Sequence, residues 1–128
     1  MTPAFGSALR EEAEVVITTY DANGRPGSVP IWFACVGWKV YMVTGRESLK
    51  VRKLRINPRV CLSFPGRKSI SLDGTGRICA EESLVYRVAP LLNRKYEGAW
   101  GHDAHMVQRL LSGDAVLLEV TPSFAKCV

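Results

Sequence analysis

Three extended runs follow one another between residues 13 and 44, joined by links too short for anything but hairpins. Ala13-Glu14-Val15-Val16-Ile17-Thr18-Thr19-Tyr20 is dense in β-branched residues and runs into Asp21-Ala22-Asn23-Gly24-Arg25-Pro26-Gly27, a cluster of turn formers. The second run is Ser28-Val29-Pro30-Ile31-Trp32-Phe33-Ala34-Cys35, and after Val36-Gly37 the third is Trp38 to Thr44. Parallel neighbours need a crossover of a dozen or more residues, so these strands form an antiparallel meander. Pro30 has no N–H to give to a ladder, which puts its strand at a sheet edge or distorts it there.

Beyond Gly45 the pattern changes. Arg46 to Asn57 is dominated by strong helix formers, with Val51 and Leu54 three apart, and reads as one short helix. Ser48 or Glu47 stands near its N-cap, and Asn57-Pro58 is its stop. Arg59 to Phe64 reads as a strand, Pro65 to Lys68 as a turn, and Ser69 to Ala80 as a long alternating strand with a glycine bend. Glu81 to Gly98 is mostly helical, kinked or split by Pro90, and His102 to Ser112 is a further helix stopped by Gly113. Ala115 to Val120 is the closing strand. About six strands and three or four short helices, with no repeat or linker, imply one domain over residues 1–128. Its strands close or nearly close into an antiparallel barrel, which removes exposed edges. Trp32, Phe33, Trp38 and Tyr41 read most simply as core or barrel wall, although Trp32 differs in its place beside Pro30.

The 17 Lys and Arg residues outnumber the 12 Asp and Glu, and a net charge of +5 favours an anionic ligand. No apolar run approaches the roughly 20 residues needed to span a bilayer, and the N-terminus lacks the features of a signal peptide. Cys35, Cys61, Cys79 and Cys127 contain no Cys-x-x-Cys pair, and the first three sit in apolar stretches of the kind a reduced thiol packs into. A cytoplasmic location is the expectation.

Six of the basic residues, Arg46, Lys50, Arg52, Lys53, Arg55 and Arg59, fall between positions 46 and 59 against the single acid Glu47. At about 100° per helical residue, Lys50, Lys53 and Asn57 lie within roughly 60° of one another. The unpaired N–H groups of the first turn and the Ser48 and Thr44 hydroxyls complete a setting suited to a phosphate. The alternative is a solvated basic face. Gly74-Thr75-Gly76 lacks the third glycine of a dinucleotide fingerprint, and no P-loop pattern occurs. His102-x-x-His105 has no evident third ligand, and no serine or cysteine sits in a nucleophile elbow, so neither a metal nor nucleophilic catalysis is expected. A strand interrupted at Pro30, beside Trp32 and one strand from a phosphate site, suits a planar heterocycle with a phosphorylated tail.

Ser28-Val29-Pro30-Ile31-Trp32-Phe33, then Val40-Tyr41-Met42-Val43-Thr44, then Ser48 to Val60 with its Lys-x-x-x-Leu and Asn-Pro-Arg-Val, resembles the flavin-binding split-barrel family related to pyridoxamine 5′-phosphate oxidase. The resemblance spans about residues 13 to 80, with support from Leu91 to Tyr96. It implies a mainly β, six-stranded antiparallel split β-barrel of Greek-key type that forms a homodimer. FMN, or the deazaflavin coenzyme F-420, would lie at the subunit interface. By resemblance, Lys50 pairs with the cofactor phosphate, aided by Ser48, Leu49, Thr44 and Lys53. Main-chain groups of Ser28, Val29, Pro30 and Ile31 face the ring's pyrimidine edge beside Trp32, and Val43 lies near the ring or ribityl chain. The chemistry would then be the cofactor's, so no residue is assigned a catalytic role.

The implied function is a flavin- or deazaflavin-dependent oxidoreductase acting on a small organic substrate. Pyridoxamine phosphate is not the expected substrate, because the chain ends at Val128 without the basic C-terminal extension that holds the vitamin's phosphate. The Lys95-Tyr96 pair and the small size resemble the deazaflavin-dependent branch. Two other readings stand beside this one: a non-catalytic flavin or haem binding or storage protein, and a small β-barrel that binds nucleic acid through the 46–59 stripe.

Overall fold

A computed structural model describes residues 3–99 and 101–123. Its elements are α1 (Pro3–Glu11), β1 (Glu14–Tyr20), β2 (Pro26–Trp32), β3 (Ala34–Val36), β4 (Lys39–Gly45), α2 (Leu49–Ile56), β5 (Arg59–Phe64), β6 (Arg67–Cys79), α3 (Glu82–Lys95), α4 (Asp103–Ser112) and β7 (Ala115–Pro122).

The first hairpin follows from its turn chemistry. The Asp21 carboxylate accepts from the N–H groups of Asn23 at 2.8 Å and Arg25 at 2.9 Å, while Gly24 takes a φ of 78°. A short acceptor side chain and a residue free to enter the left-handed region are what such a loop needs. The hairpin sets Thr19 opposite Gly27 and Val16 opposite Pro30.

The strands form one antiparallel sheet in the order β2-β1-β5-β6-β7-β4-β3. Its terminal strands β2 and β3 are separated in the chain by Phe33 alone. A sheet whose two ends are joined by one residue must curl on itself, and the result is a half-barrel. Among the described residues there are therefore seven strands, where six are expected. The second extended run divides at Phe33 because its first part pairs with β1 and its last part with β4. Pro30 lies on the terminal strand β2, where a missing donor is tolerated.

Inside the curl, Val15, Ile17, Phe33, Val40, Met42, Val60, Leu62, Phe64, Leu118 and Val120 pack with Val51 and Leu54 of α2 and Ala8 and Leu9 of α1. On the outer face, Ala34, Tyr41, Cys79 and Leu117 pack against Val85, Val88, Ala89 and Leu92 of α3 and Met106 of α4. Two glycines of β6 allow close approach, Gly76 of the α2 side chain Leu54 and Gly74 of the neighbouring strand β7. A Cβ on Gly76 would stand 2.9 Å from Val60 Cγ2, and one on Gly74 would stand 2.7 Å from the Thr121 carbonyl oxygen.

Several sequence expectations need correction. α3 runs unbroken through Pro90; burial of Val85, Val88, Ala89 and Leu92 outweighs the roughly 3 kcal/mol that an interior proline costs. Trp38 is 61% exposed beside the tight turn at Gly37, so it is neither core nor wall. The helix α1 was not anticipated. Cys35 and Cys79 are free thiols, but Cys61 is disulfide-bonded, contrary to the reduced state expected of it. Cys127 lies outside the described residues. No helix among the described residues is long and apolar enough to cross a membrane.

Candidate functional site

α2 begins as its sequence dictates. Ser48 adopts extended geometry and its hydroxyl oxygen accepts from the Val51 N–H at 3.4 Å, the N-cap interaction. The first intrahelical bond is donated by Arg52 N–H to the Ser48 carbonyl at 3.2 Å, leaving the N–H groups of Leu49 and Lys50 ahead of it. Asn57 ends the helix by donating its N–H to the Lys53 carbonyl at 2.8 Å, and its side-chain oxygen accepts from Arg59 N–H at 3.1 Å.

Against this helix lies the β1–β2 hairpin, and between the two is a cleft of about 240 Å³ lined by Thr19, Gly27, Ser28, Val29, Leu49, Lys50 and Lys53. Leu49, Lys50 and Lys53 project on one side of α2, whereas Val51 and Leu54 face the core. Gly27 makes room for Lys53: a Cβ there would fall 2.5 Å from Nζ. The Ser28 and Thr18 hydroxyls lie 2.7 Å apart. Burial pulls the Lys50 ammonium below the ordinary lysine value.

Three of the surrounding cations are engaged elsewhere. Arg46 and Arg52 reach Glu47 at 3.5 and 3.7 Å, and Arg59 lies 3.4 Å from Asp73 with its guanidinium over the Tyr20 ring. Among the described residues no carboxylate stands within ion-pair distance of Lys50 or Lys53. Two partly desolvated ammonium groups without a counter-ion among the described residues, beside the exposed start of a helix, have the chemistry to receive an anion. Among the described residues the lining of the cleft is two ammonium groups, two hydroxyls and apolar or glycine positions, which is chemistry for binding.

Of the residues singled out in the sequence, Ser28, Val29, Leu49, Lys50 and Lys53 thus come together, with Ser48 at the helix cap. Pro30, Ile31 and Trp32 continue along the edge of β2; Pro30 and Trp32 are exposed and Ile31 is half-buried. Thr44 is half-buried on β4 opposite Val116 and does not line the cleft. Val43 is placed away from it, beside His105, Met106 and Arg109 of α4. Strand alternation sends Val43 to the outer face with Tyr41, while Val40 and Met42 point inward. Thr19 and Gly27 were missed, although the hairpin register that makes them neighbours follows from the Asp21–Gly24 turn signal.

Other concavities differ in their lining, and one between α3 and the start of α4 holds Asn93, Arg94, Glu97 and Asp103. A groove of about 730 Å³ between α3 and α4 is walled by Tyr86, Pro90, Val107 and Leu111, and no cation lines it. The His102 and His105 rings meet edge to face with centroids 5.8 Å apart. Among the described residues no three His, Cys, Asp or Glu side chains are grouped to hold a metal ion.

The model of the family described as pyridoxamine 5′-phosphate oxidase matches residues 1–125. Among curated proteins no significant match is found. Solved structures share the fold at low identity. The haem storage protein HutZ from Vibrio cholerae is 17% identical with a TM-score of 0.75, over 98% of this chain and 92% of that one. An F-420 reductase is 22% identical with a TM-score of 0.69, over 96% of each chain. An FAD-binding protein from Mesorhizobium loti is 13% identical with a TM-score of 0.68, over 96% of this chain and 89% of its own.

Proposed function

Since this chain belongs to the pyridoxamine 5′-phosphate oxidase family, we propose that it is an oxidoreductase that takes FMN or the deazaflavin coenzyme F-420 and acts on a small organic substrate. The observation that carries this reading is the pair of half-buried, carboxylate-free ammonium groups of Lys50 and Lys53 at the start of α2. The residues fit a phosphorylated cofactor. Gly27 leaves space for the Lys53 ammonium, and the Ser48 oxygen, occupied as an acceptor by Val51 N–H, keeps its proton for an anion.

Lys50 and Lys53 would hold the phosphate, each contact worth about 1.5–3 kcal/mol as a hydrogen bond to a charged group. The outer edge of β2, from Ser28 to Trp32, would orient the ring, and Pro30 presents a carbonyl there without a competing donor. When bound, the ring supplies the hydride or electron transfer. Val29 and Leu49, 39% and 63% exposed beside the cleft, are apolar surface that a second copy of the chain would cover, with the cofactor between subunits.

An absorbance spectrum and mass of the ligand that co-purifies or is taken up tests the reading. Flavin or deazaflavin bands that bleach on reduction are expected. A Soret band would replace the redox role with haem binding, and binding of neither cofactor would end the proposal.

A further inference from the structure

Phe33 is the point at which the curled sheet would come apart. It belongs to neither ladder, since β1·β2 pairing ends at Trp32 and β3·β4 pairing begins at Ala34. The residue is fully buried, and bare backbone groups there would carry a desolvation penalty. Both groups are met by side chains from the end of α3. Phe33 N–H donates to the Tyr96 hydroxyl oxygen at 2.8 Å. Its carbonyl accepts from the Lys95 ammonium at 3.0 Å and lies 3.0 Å from the Tyr96 hydroxyl. That hydroxyl also reaches the Ala13 carbonyl, just before β1, at 2.7 Å. With one proton it donates to one of the two carbonyls at a time.

The same pair touches the edge strand itself. The Tyr96 ring lies flat on Trp32, centroids 4.2 Å apart and planes 5° apart, and the Lys95 ammonium stands 3.4 Å from the centre of the Phe33 ring. Burial pushes the Tyr96 phenol up to about 12, so it keeps its proton through the physiological range. Neither residue lines the Lys50–Lys53 cleft. The phosphate end of the site and the seam are held by different groups.

We propose that Lys95 and Tyr96 are positioning residues that clamp the seam between β2 and β3 and thereby fix the outer edge of β2, through Trp32, for the planar ring of the cofactor. The cofactor half rests on the flavin reading above; the clamp itself does not. Without the clamp, the joint at Phe33 would lose its side-chain hydrogen bonds, and the edge of β2 would rest on its ladder with β1 and the packing of Ile31 against the core. A ring resting on that edge would lose register while the phosphate stayed bound.

The test uses the full-length chain and Tyr96→Phe, which keeps the stack on Trp32 but removes the hydroxyl, with Lys95→Met as the second variant should the first fail to fold. Hydrogen exchange over residues 26–36 is measured without cofactor. FMN affinity and the visible band are measured at saturating FMN, and inorganic phosphate is scored by thermal shift. Loss of the two hydrogen bonds the hydroxyl makes at a time, one accepted and one donated, predicts exchange faster by about fivefold or more and FMN binding weaker by about five- to tenfold. The FMN band should be displaced, while the phosphate shift is unchanged. Unaltered exchange in the variant overturns the clamp whether or not any cofactor binds. Faster exchange with an unaltered FMN band overturns the positioning role. Failure of the unmodified protein to bind either cofactor instead refutes the flavin reading and the cofactor half with it.

Discussion

Gly27 is a place where function and stability should separate. It pairs with Thr19 in the β1–β2 ladder, and a methyl group at its α carbon would lie 2.5 Å from Lys53 Nζ. Non-bonded heavy atoms settle at roughly 3.5–4.0 Å, so in Gly27→Ala the ammonium must withdraw by about an ångström. The displaced atom is the tip of a flexible chain, and the folding free energy should change by no more than about 0.5 kcal/mol. Its loss from the cleft removes one charged contact of about 1.5–3 kcal/mol, which is about 10- to 150-fold in FMN affinity. Gly76→Ala is the control. There the same methyl meets Val60 Cγ2 at 2.9 Å and Leu54 Cδ2 at 3.0 Å within the packed interior. Overpacking should lower stability by about 1–3 kcal/mol and leave the affinity of folded protein intact. FMN fluorescence titration with urea denaturation of both variants distinguishes the two. Gly27→Ala binding FMN as tightly as the unmodified chain would refute the placement of Lys53 over the anion site.

Glu119, 3% exposed on the outer face, accepts from Tyr41 at 2.7 Å and Arg77 at 2.8 Å. Burial alone would raise its pKa, but Arg77 and Tyr41 together hold the carboxyl below its ordinary 4.5. Its contribution is therefore complete above that value and lost as pH falls through the lower folded value. Glu119→Gln should cost about 1–3 kcal/mol near neutrality and flatten the acid limb of a stability–pH curve; an unchanged limb would contradict this. Burial lowers Lys95 from 10.5 to about 8, with Cys35 opposing. Between those values the unfolded chain holds a proton that the folded chain has released, so stability on this account rises with pH. Cys35, raised to about 11, and Tyr96, raised to about 12, act the other way at higher pH. Lys95→Met should thus lack a rise that the parent shows from about pH 8 to 9, before Cys35 opposes it, in urea melts, and parallel curves would remove the assignment. Ser48→Ala should cost about 1 kcal/mol of stability through the lost cap, read by the same melts; a neutral result would show that the cap bond contributes nothing.

Much of the architecture is legible because local chemistry and global fold agree. The Asp21–Gly24 turn, the Ser48 cap, the Asn57 stop and the glycines of β6 each name their element in the sequence, and Pro30 announces an edge. The division of one extended run into β2 and β3 is not written locally, since it arises only when the sheet curls until its ends meet at Phe33. The side of Val43 was equally hidden. β4 is apolar on both faces, so Val40-Tyr41-Met42-Val43 alternates between two cores without a polar residue to mark which is which. Pro90 misled because propensity is a weak prior against a packed face. Disulfide pairing is not deducible from cysteine spacing, and the apolar stretch around Cys61 pointed to a reduced thiol where a disulfide is found. Within the candidate site, the cations were readable from charge density. Helix phase in the sequence already turns Arg52 and Arg55 away from the Lys50–Lys53 stripe; the engagement of Arg59 by Asp73 needed the structure.

The central claim is that the start of α2 grips a phosphorylated redox cofactor through Lys50. Titration of FMN, and separately of coenzyme F-420, into the cofactor-free chain and into Lys50→Ala addresses it directly. The account predicts stoichiometric uptake of one of the two by the unmodified chain and binding at least about tenfold weaker in the variant. Equal affinities in the two proteins, or no uptake by either, would contradict it.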